Sequence, residues 1–259
     1  MHMITLTSDW NENDYYVASL KGKLLSTCPE VRIVDITHQV KPFNTAQAAF
    51  ILRNSYPSFP ENTIHIIAVY SEPEKGGQLL AARMNKQYFL CSDNGLLGLL
   101  GGQGPDLVVK LKEPDEPLKA SFISNSIFAE VACALANNTP LSELGTPTKI
   151  YNKQTPLRPT IEEHTITGSV IYIDSYKNAI TNISKDLFDR IGSGKKYEIY
   201  VQSKHYMINR INKRYNETPP GELMAIFNSV NLLEIAIRNG NAAGLLKLNT
   251  SSTVRVEFK

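Results

Sequence analysis

The chain has 259 residues, room for one large domain or two modest ones, and its 27 Lys and Arg against 25 Asp and Glu leave a net charge of +2. With no long basic run and no apolar stretch long enough to span a bilayer, the sequence argues against nucleic-acid binding and against a membrane protein. Three scattered cysteines (Cys28, Cys91, Cys133) are too few for a disulfide framework, the five histidines form no metal-ligand pair, and no leader pattern opens the chain, so a cytoplasmic protein without a metal is expected.

Short apolar runs rich in β-branched residues predict strands over Met3 to Leu6, Val31 to Ile36, Thr63 to Val69, Leu79 to Met84 and Gln87 to Cys91. Between the first two, Val17, Leu20, Leu24 and Leu25 recur at helical spacing within Tyr15 to Thr27. A second helix is expected over Thr45 to Ser55, with Ala46, Ala49, Phe50 and Leu52 or Arg53 near one face. A third runs from Phe122 to Ala136 and stops at Asn137-Asn138-Thr139-Pro140. Strands alternating with helices imply a parallel or mixed sheet covered on its faces.

From Gly145 to Pro159 periodicity disappears into Thr, Pro, Lys, Gln and Asn. Beyond it, Thr165 to Ile173, Tyr197 to Val201, Leu223 to Phe227, Leu232 to Ile237 and Val254 to Phe258 read as strands separated by Gly, Asn and Pro. The fold class expected is therefore an α/β N-terminal domain over residues 1–150, a linker over 151–164 and an all-β, barrel-like C-terminal domain over 165–259.

Polar residues accumulate where strands end. Thr7 to Asp14 follows the first strand, and in sheet-based α/β domains such loops bind ligands; an Asx turn and a helix N-cap at Asn13 or Asp14 explain the same residues without a ligand. Ser92-Asp93-Asn94-Gly95 reads as a tight turn, and Asp174 to Asn178 as a hairpin loop.

Taken in order, these segments resemble a known family. Leu6-Thr7-Ser8-Asp9, Asp14, Lys21-Gly22, Cys28-Pro29, Ile33 to His38, Phe59-Pro60 and Thr63 are followed by Asp93 to Leu97, Pro140 to Ser142 and Leu144-Gly145. Asp174 to Asn178, Thr181 to Ile183, Asn228-Ser229, Leu233 to Ala236 and Gly240 to Ala243 complete the series. Each motif is weak, but their collinearity across the chain is similar to the S-adenosylmethionine hydroxide adenosyltransferases and the related fluorinases and chlorinases. The resemblance implies a homotrimer with active sites between one subunit's N-terminal domain and its neighbour's C-terminal domain. It also implies a nucleoside ligand, S-adenosylmethionine, as substrate, attacked at ribose C5′ with loss of methionine and with no metal.

By position, Asp9 matches the aspartate that takes the ribose hydroxyls, and Phe43 an aromatic residue against the ligand. Asp14 and Asp174 match carboxylates around the methionine amino group, and Asn178 and Ser229 match polar contacts from the barrel domain. The water-preparing Asp, Arg and His of the hydroxide-using enzymes are replaced by Tyr70-Ser71-Glu72, Gly77 and Phe122 to Ser126. Tyr70 and Ser124 instead match halogenase positions, and the attack site is expected between them. Yet the halogenase hydroxyl and arginine fall at Pro73 and Asn125, and Glu72 and Glu74 would repel an anion. Two functions follow: an enzyme opening S-adenosylmethionine at C5′ with water or halide, or a catalytically degenerate S-adenosylmethionine- or adenosine-binding module. A methyltransferase fits poorly, for lack of a glycine-rich loop after the first strand.

Overall fold

The computed structural model describes residues 2–73, 77–112 and 121–259. The chain divides into two compact units, Met1–Pro156 and Leu157–Lys259. The first is α/β and the second a nearly closed, barrel-like sheet. Among the described residues no helix is long and apolar enough to cross a membrane.

In the first unit, β1 (Met3–Ser8), β2 (Arg32–Thr37), β3 (Ile64–Ala68), β4 (Leu79–Met84), β5 (Gln87–Ser92), β6 (Leu107–Leu111) and β7 (Gly145–Pro147) form one sheet in the order β2-β1-β3-β5-β4-β6-β7. Strands β2, β1, β3 and β5 run parallel, whereas β4, β6 and β7 pair antiparallel. Because β1 has β2 on one side and β3 on the other, the chain reverses its winding there and opens a crevice at the strands' carboxyl ends.

Helix α1 (Tyr15–Thr27) buries Val17, Leu20 and Leu24, spaced for one face, and ends where Pro29 follows its cap, Cys28. Leu25, expected on that face, is instead half exposed. Helix α2 (Thr45–Ser55) starts where the Asn44 side chain accepts the Gln47 N–H at 2.9 Å. It buries Ala48, Ala49 and Leu52, so its inner face is rotated away from the Ala46 and Phe50 expected there. The third helix begins as a π-helical turn over Ser124–Phe128 and continues as an α-helix over Ala129–Ala136. Leu20 and Leu24 pack with Phe128, Ala129 and Ala132 on one sheet face, while Ala49 and Leu52 pack with Ile67 and Phe89 on the other. Both faces are thus covered, which is why β1 and β3 read as near-continuous apolar runs.

Packing α1 against Ala129–Ala136 also joins Cys28 to Cys133 in a disulfide, their Cα atoms 5.6 Å apart across 105 residues of sequence. One disulfide is thus present where three scattered cysteines read as too few for a disulfide framework. The spacing concealed the pairing because it arises from contact between two helices, not from a local motif. Cys91 remains a buried thiol.

In the second unit β8 (Thr160–Glu162), β9 (Thr165–Ile173), β10 (Ala179–Ser184), β11 (Tyr197–Val201), β12 (Ser203–Ile208), β13 (Ile211–Asn212), β14 (Leu223–Phe227), β15 (Leu232–Ile237) and β16 (Thr253–Phe258) make one sheet. Strand β9 curls from β16 at its start to β10 at its end, and Ile166, Val170, Ile199, Leu233 and Val256 fill the interior. Gly168 is required at that curl, since a Cβ there would lie 2.5 Å from the Ile183 side chain. Strand β8 falls inside the expected linker; its three residues are exposed, so no apolar pattern marked it. A short helix over Lys185–Gly192, capped by Ser184, also went unmarked.

Candidate functional site

Loops after β1 and β3 and the segment between β2 and α2 meet at the carboxyl end of the first sheet. There Asp9, Trp10, Asp14, Tyr16, Phe43, Tyr70, Glu72, Ser121, Phe122 and Ile123 are among the residues lining a cavity of about 410 Å³. Asp9 organises it. Its Oδ2 accepts the backbone N–H of Phe43 at 2.9 Å and of Tyr70 at 3.1 Å. Both donors lie at positive φ, 64° for Phe43 and 46° for Tyr70, a conformation uncommon for aromatic residues. One carboxylate oxygen therefore holds two strained loops.

The loops are stitched from outside as well. Asn94 donates to the carbonyls of Val69 and Tyr70, both at 3.0 Å, and Asn94 is set by a turn through Gly95 at φ 89°. Ser8 Oγ lies 2.7 Å from His38 Nδ1, and the His38 carbonyl accepts the Asn11 N–H at 2.8 Å. His38 Nε2 faces Asp35 at 3.1 Å, and Asp35 also meets Lys21. Partial burial raises the Asp35 pKa, but its bonds to Lys21 and His38 outweigh that and leave it lowered. Ser8-His38-Asp35 has the composition of a nucleophilic triad with the burial inverted, because the serine is enclosed and the carboxylate faces solvent. It acts as a brace.

Aromatic rings form the far wall. Phe122 meets Trp10 and Tyr16 edge to face, each at 5.2 Å between centroids, and Phe43 meets Tyr70 likewise at 5.6 Å. The described lining residues thus include the carboxylates of Asp9, Asp14 and Glu72 and no lysine or arginine. Glu74 lies outside the described residues. Asp14 is the N-cap residue of α1 by position, but its side chain makes no capping bond, and turn chemistry does not account for the carboxylate.

Ser124 is placed differently from its expected role. It is fully buried, opens the π-helical turn after the cavity residue Ile123, and its hydroxyl has no hydrogen-bond partner. It is not among the residues lining the cavity. The other candidates belong to the second unit. Asp174, Asn178, Tyr215, Arg238 and Asn239 are among the residues lining a cavity of about 530 Å³. Asp174 Oδ1 accepts the Asn178 N–H at 2.8 Å, which is the expected hairpin-loop role. Ser229 sits exposed in the β14–β15 turn and does not line this cavity.

The first unit's match to the SAM hydroxide adenosyltransferase N-terminal domain covers residues 4–145, and the C-terminal domain of the same description matches residues 168–255. The chain belongs to the SAM hydroxide adenosyltransferase family. A family relative, the (R)-S-adenosyl-L-methionine hydrolase of Salinispora arenicola, is 27% identical over 98% of this chain and 97% of its own length. The fluorinase of Nocardia brasiliensis is 24% identical over 74% of each chain. A crystal structure of an uncharacterized conserved protein from Thermotoga maritima shares the fold, with a TM-score of 0.85 at 24% identity over 99% of both chains.

Trp10, Tyr16 and Phe122 escaped the sequence-based candidate set. Trp10 and Tyr16 carry a usable signal, being aromatic residues in and just after the polar loop that follows β1. Phe122 carries none, since only folding brings it to them.

Proposed function

We propose that the protein binds S-adenosylmethionine and replaces its methionine at ribose C5′ by water. The observation that carries this choice is the lining of the first cavity: aromatic rings with Asp9, Asp14 and Glu72, and no lysine or arginine among the described residues. Such a surface favours a cationic ligand with hydroxyl groups and disfavours a free halide, whose charge the carboxylates oppose. Membership in the family supplies the substrate class, and the hydrolase and fluorinase relatives support substitution by water or halide.

In this reading Asp9 Oδ1 accepts from the ribose, Asp14 faces the ammonium group and Phe43 packs on the ligand, while Asp174, also toward the ammonium, and Asn178 and Ser229, as polar contacts, come from a neighbouring subunit. Tyr70 shields C5′ from bulk water. The water oxygen bonds to C5′ as the C5′–S bond breaks. Its electron pair stays on sulfur, giving neutral methionine, and the water proton leaves to solvent. The sulfonium is already a good leaving group, so alignment and dehydration are the main tasks left to the protein. The protein acts as a homotrimer, which light scattering tests; a stable, fully ligand-binding monomer refutes that part.

One observation favours the degenerate binding module instead: the Ser124 hydroxyl does not reach the cavity lining. Incubation with S-adenosylmethionine in ¹⁸O-labelled water, with and without fluoride or chloride, separates the readings. Labelled adenosine supports hydrolysis, a 5′-halonucleoside overturns the choice of water, and binding without product establishes the module.

A further inference from the structure

Strand β15 alternates between two buried faces. Leu233 and Ile235 enter the barrel interior, while Ala236 packs on the opposite face with Met224 and Ile226. Glu234 shares that opposite face, directly across from Ile226 on β14 and Ile180 on β10, and is only 2% exposed. A carboxylate so enclosed is costly unless its oxygens are satisfied. Here neutral donors satisfy them. Tyr215 donates its hydroxyl to Oε1 at 2.7 Å, and Asn228 donates its amide to Oε2 at 3.1 Å.

These donors come from separate loops. Tyr215 opens the 3-10 turn before β14 and lines the second cavity; Asn228 begins the turn that presents Ser229. Asn178, from the β9–β10 hairpin, also acts on Glu234 and contacts Asp174 at 3.4 Å. Burial raises the Glu234 pKa, while the bonds from Tyr215, Asn228 and Asn178 lower it and nearby Asp174 raises it further. An apolar residue would suit the face better than a carboxylate, so packing alone does not account for Glu234.

We propose that Glu234 is a positioning residue for the barrel-side ligand cavity, fixing through Tyr215 and Asn228 the loops that carry its lining and the Ser229 turn. The proposal rests on the S-adenosylmethionine reading and adds to it a residue that touches no ligand. Glutamine at 234 has nearly the same shape, but it carries an amide donor where the carboxylate has a second acceptor. Asn228, whose Oδ1 already accepts the Val230 and Leu232 N–H groups, keeps the glutamine oxygen, so the Tyr215 hydroxyl faces the amide donor and must reverse from donor to acceptor or turn away.

The test compares wild type, Glu234→Gln, Tyr215→Phe and the double variant by S-adenosylmethionine calorimetry and steady-state kinetics, with thermal unfolding to establish that each is folded. Glu234→Gln is expected to raise Kd and KM about tenfold with a smaller change in kcat. Because it acts through Tyr215, adding it to Tyr215→Phe is expected to change KM much less than it does in wild type. Unchanged KM and Kd in a folded Glu234→Gln protein, or full additivity in the double variant, overturns the proposal while leaving the functional reading in place. If Glu234→Gln fails to fold, Tyr215→Phe and Asn228→Ala carry the test, and unchanged KM in both overturns it. A wild type that neither binds nor consumes S-adenosylmethionine overturns the functional reading, and this inference with it.

Discussion

Phe43 and Tyr70 stand edge to face with ring centroids 5.6 Å apart, and both direct their backbone N–H groups to the same oxygen of Asp9. The aspartate therefore shapes the cavity as well as facing it. Asp9→Ala is expected to abolish nucleoside binding and to lower stability by about 1 kcal/mol or more, since two loop donors lose their acceptor. Asp9→Asn keeps a carbonyl for those donors and should retain stability while weakening binding. Calorimetry with adenosine and chemical denaturation separate the effects; equal loss of both in the two variants refutes the division of labour.

Ser124 offers a test in which stability and activity move in opposite directions. A buried hydroxyl without a partner costs about 1 to 3 kcal/mol, so Ser124→Ala should raise the unfolding midpoint. If the hydroxyl orients the nucleophile, kcat falls in the same variant with little change in ligand affinity. Tyr70→Ala should weaken both affinity and turnover. A Ser124→Ala protein that is more stable and equally active removes the serine from the mechanism.

Features carried by contiguous residues were legible in the sequence, and those created by distant segments meeting were not. Strand β4 and helices α1 and α2 follow from local periodicity, and their spans are the expected ones. Asp9 stood out because it follows an apolar strand within a collinear series of motifs. The Trp10, Tyr16 and Phe122 wall, by contrast, joins residues on either side of most of the first unit. Strand β8 has no buried side chain to create a pattern, and Glu234 appeared only as one letter of a motif, its burial invisible until β10 and β14 flank it.

The Cys28–Cys133 link closes a long loop, a geometry for which a disulfide stabilises by about 2 to 4 kcal/mol. Reduction or the Cys28→Ser variant should lower the denaturation midpoint accordingly. Thiol titration gives an independent check. Burial, with a smaller contribution from Asp93, raises the Cys91 pKa, so the native protein should show almost no reactive thiol. Denaturation without reductant should reveal only Cys91; titration of all 3 cysteines under those conditions means that the link is absent.

His65 should govern stability in mild acid. It lies fully enclosed in the sheet, 2.6 Å from the Thr5 hydroxyl and 2.7 Å from Gln87 Oε1, stacked on Phe89 at 4.8 Å. Burial lowers its pKa to about 4, against the smaller upward pull of Gln87, whereas the unfolded value is 6.5. Between those values the unfolded chain binds the proton and the folded one does not, so stability falls as pH drops from 6.5 toward 4. The slope approaches about 1.4 kcal/mol per pH unit in the middle of that window. Replacement by a neutral residue, His65→Asn, should flatten the dependence there even if it lowers stability overall. Urea denaturation of both proteins at steps across the window measures the two slopes, and parallel slopes would show that His65 takes up its proton in the native state as it does in the unfolded chain.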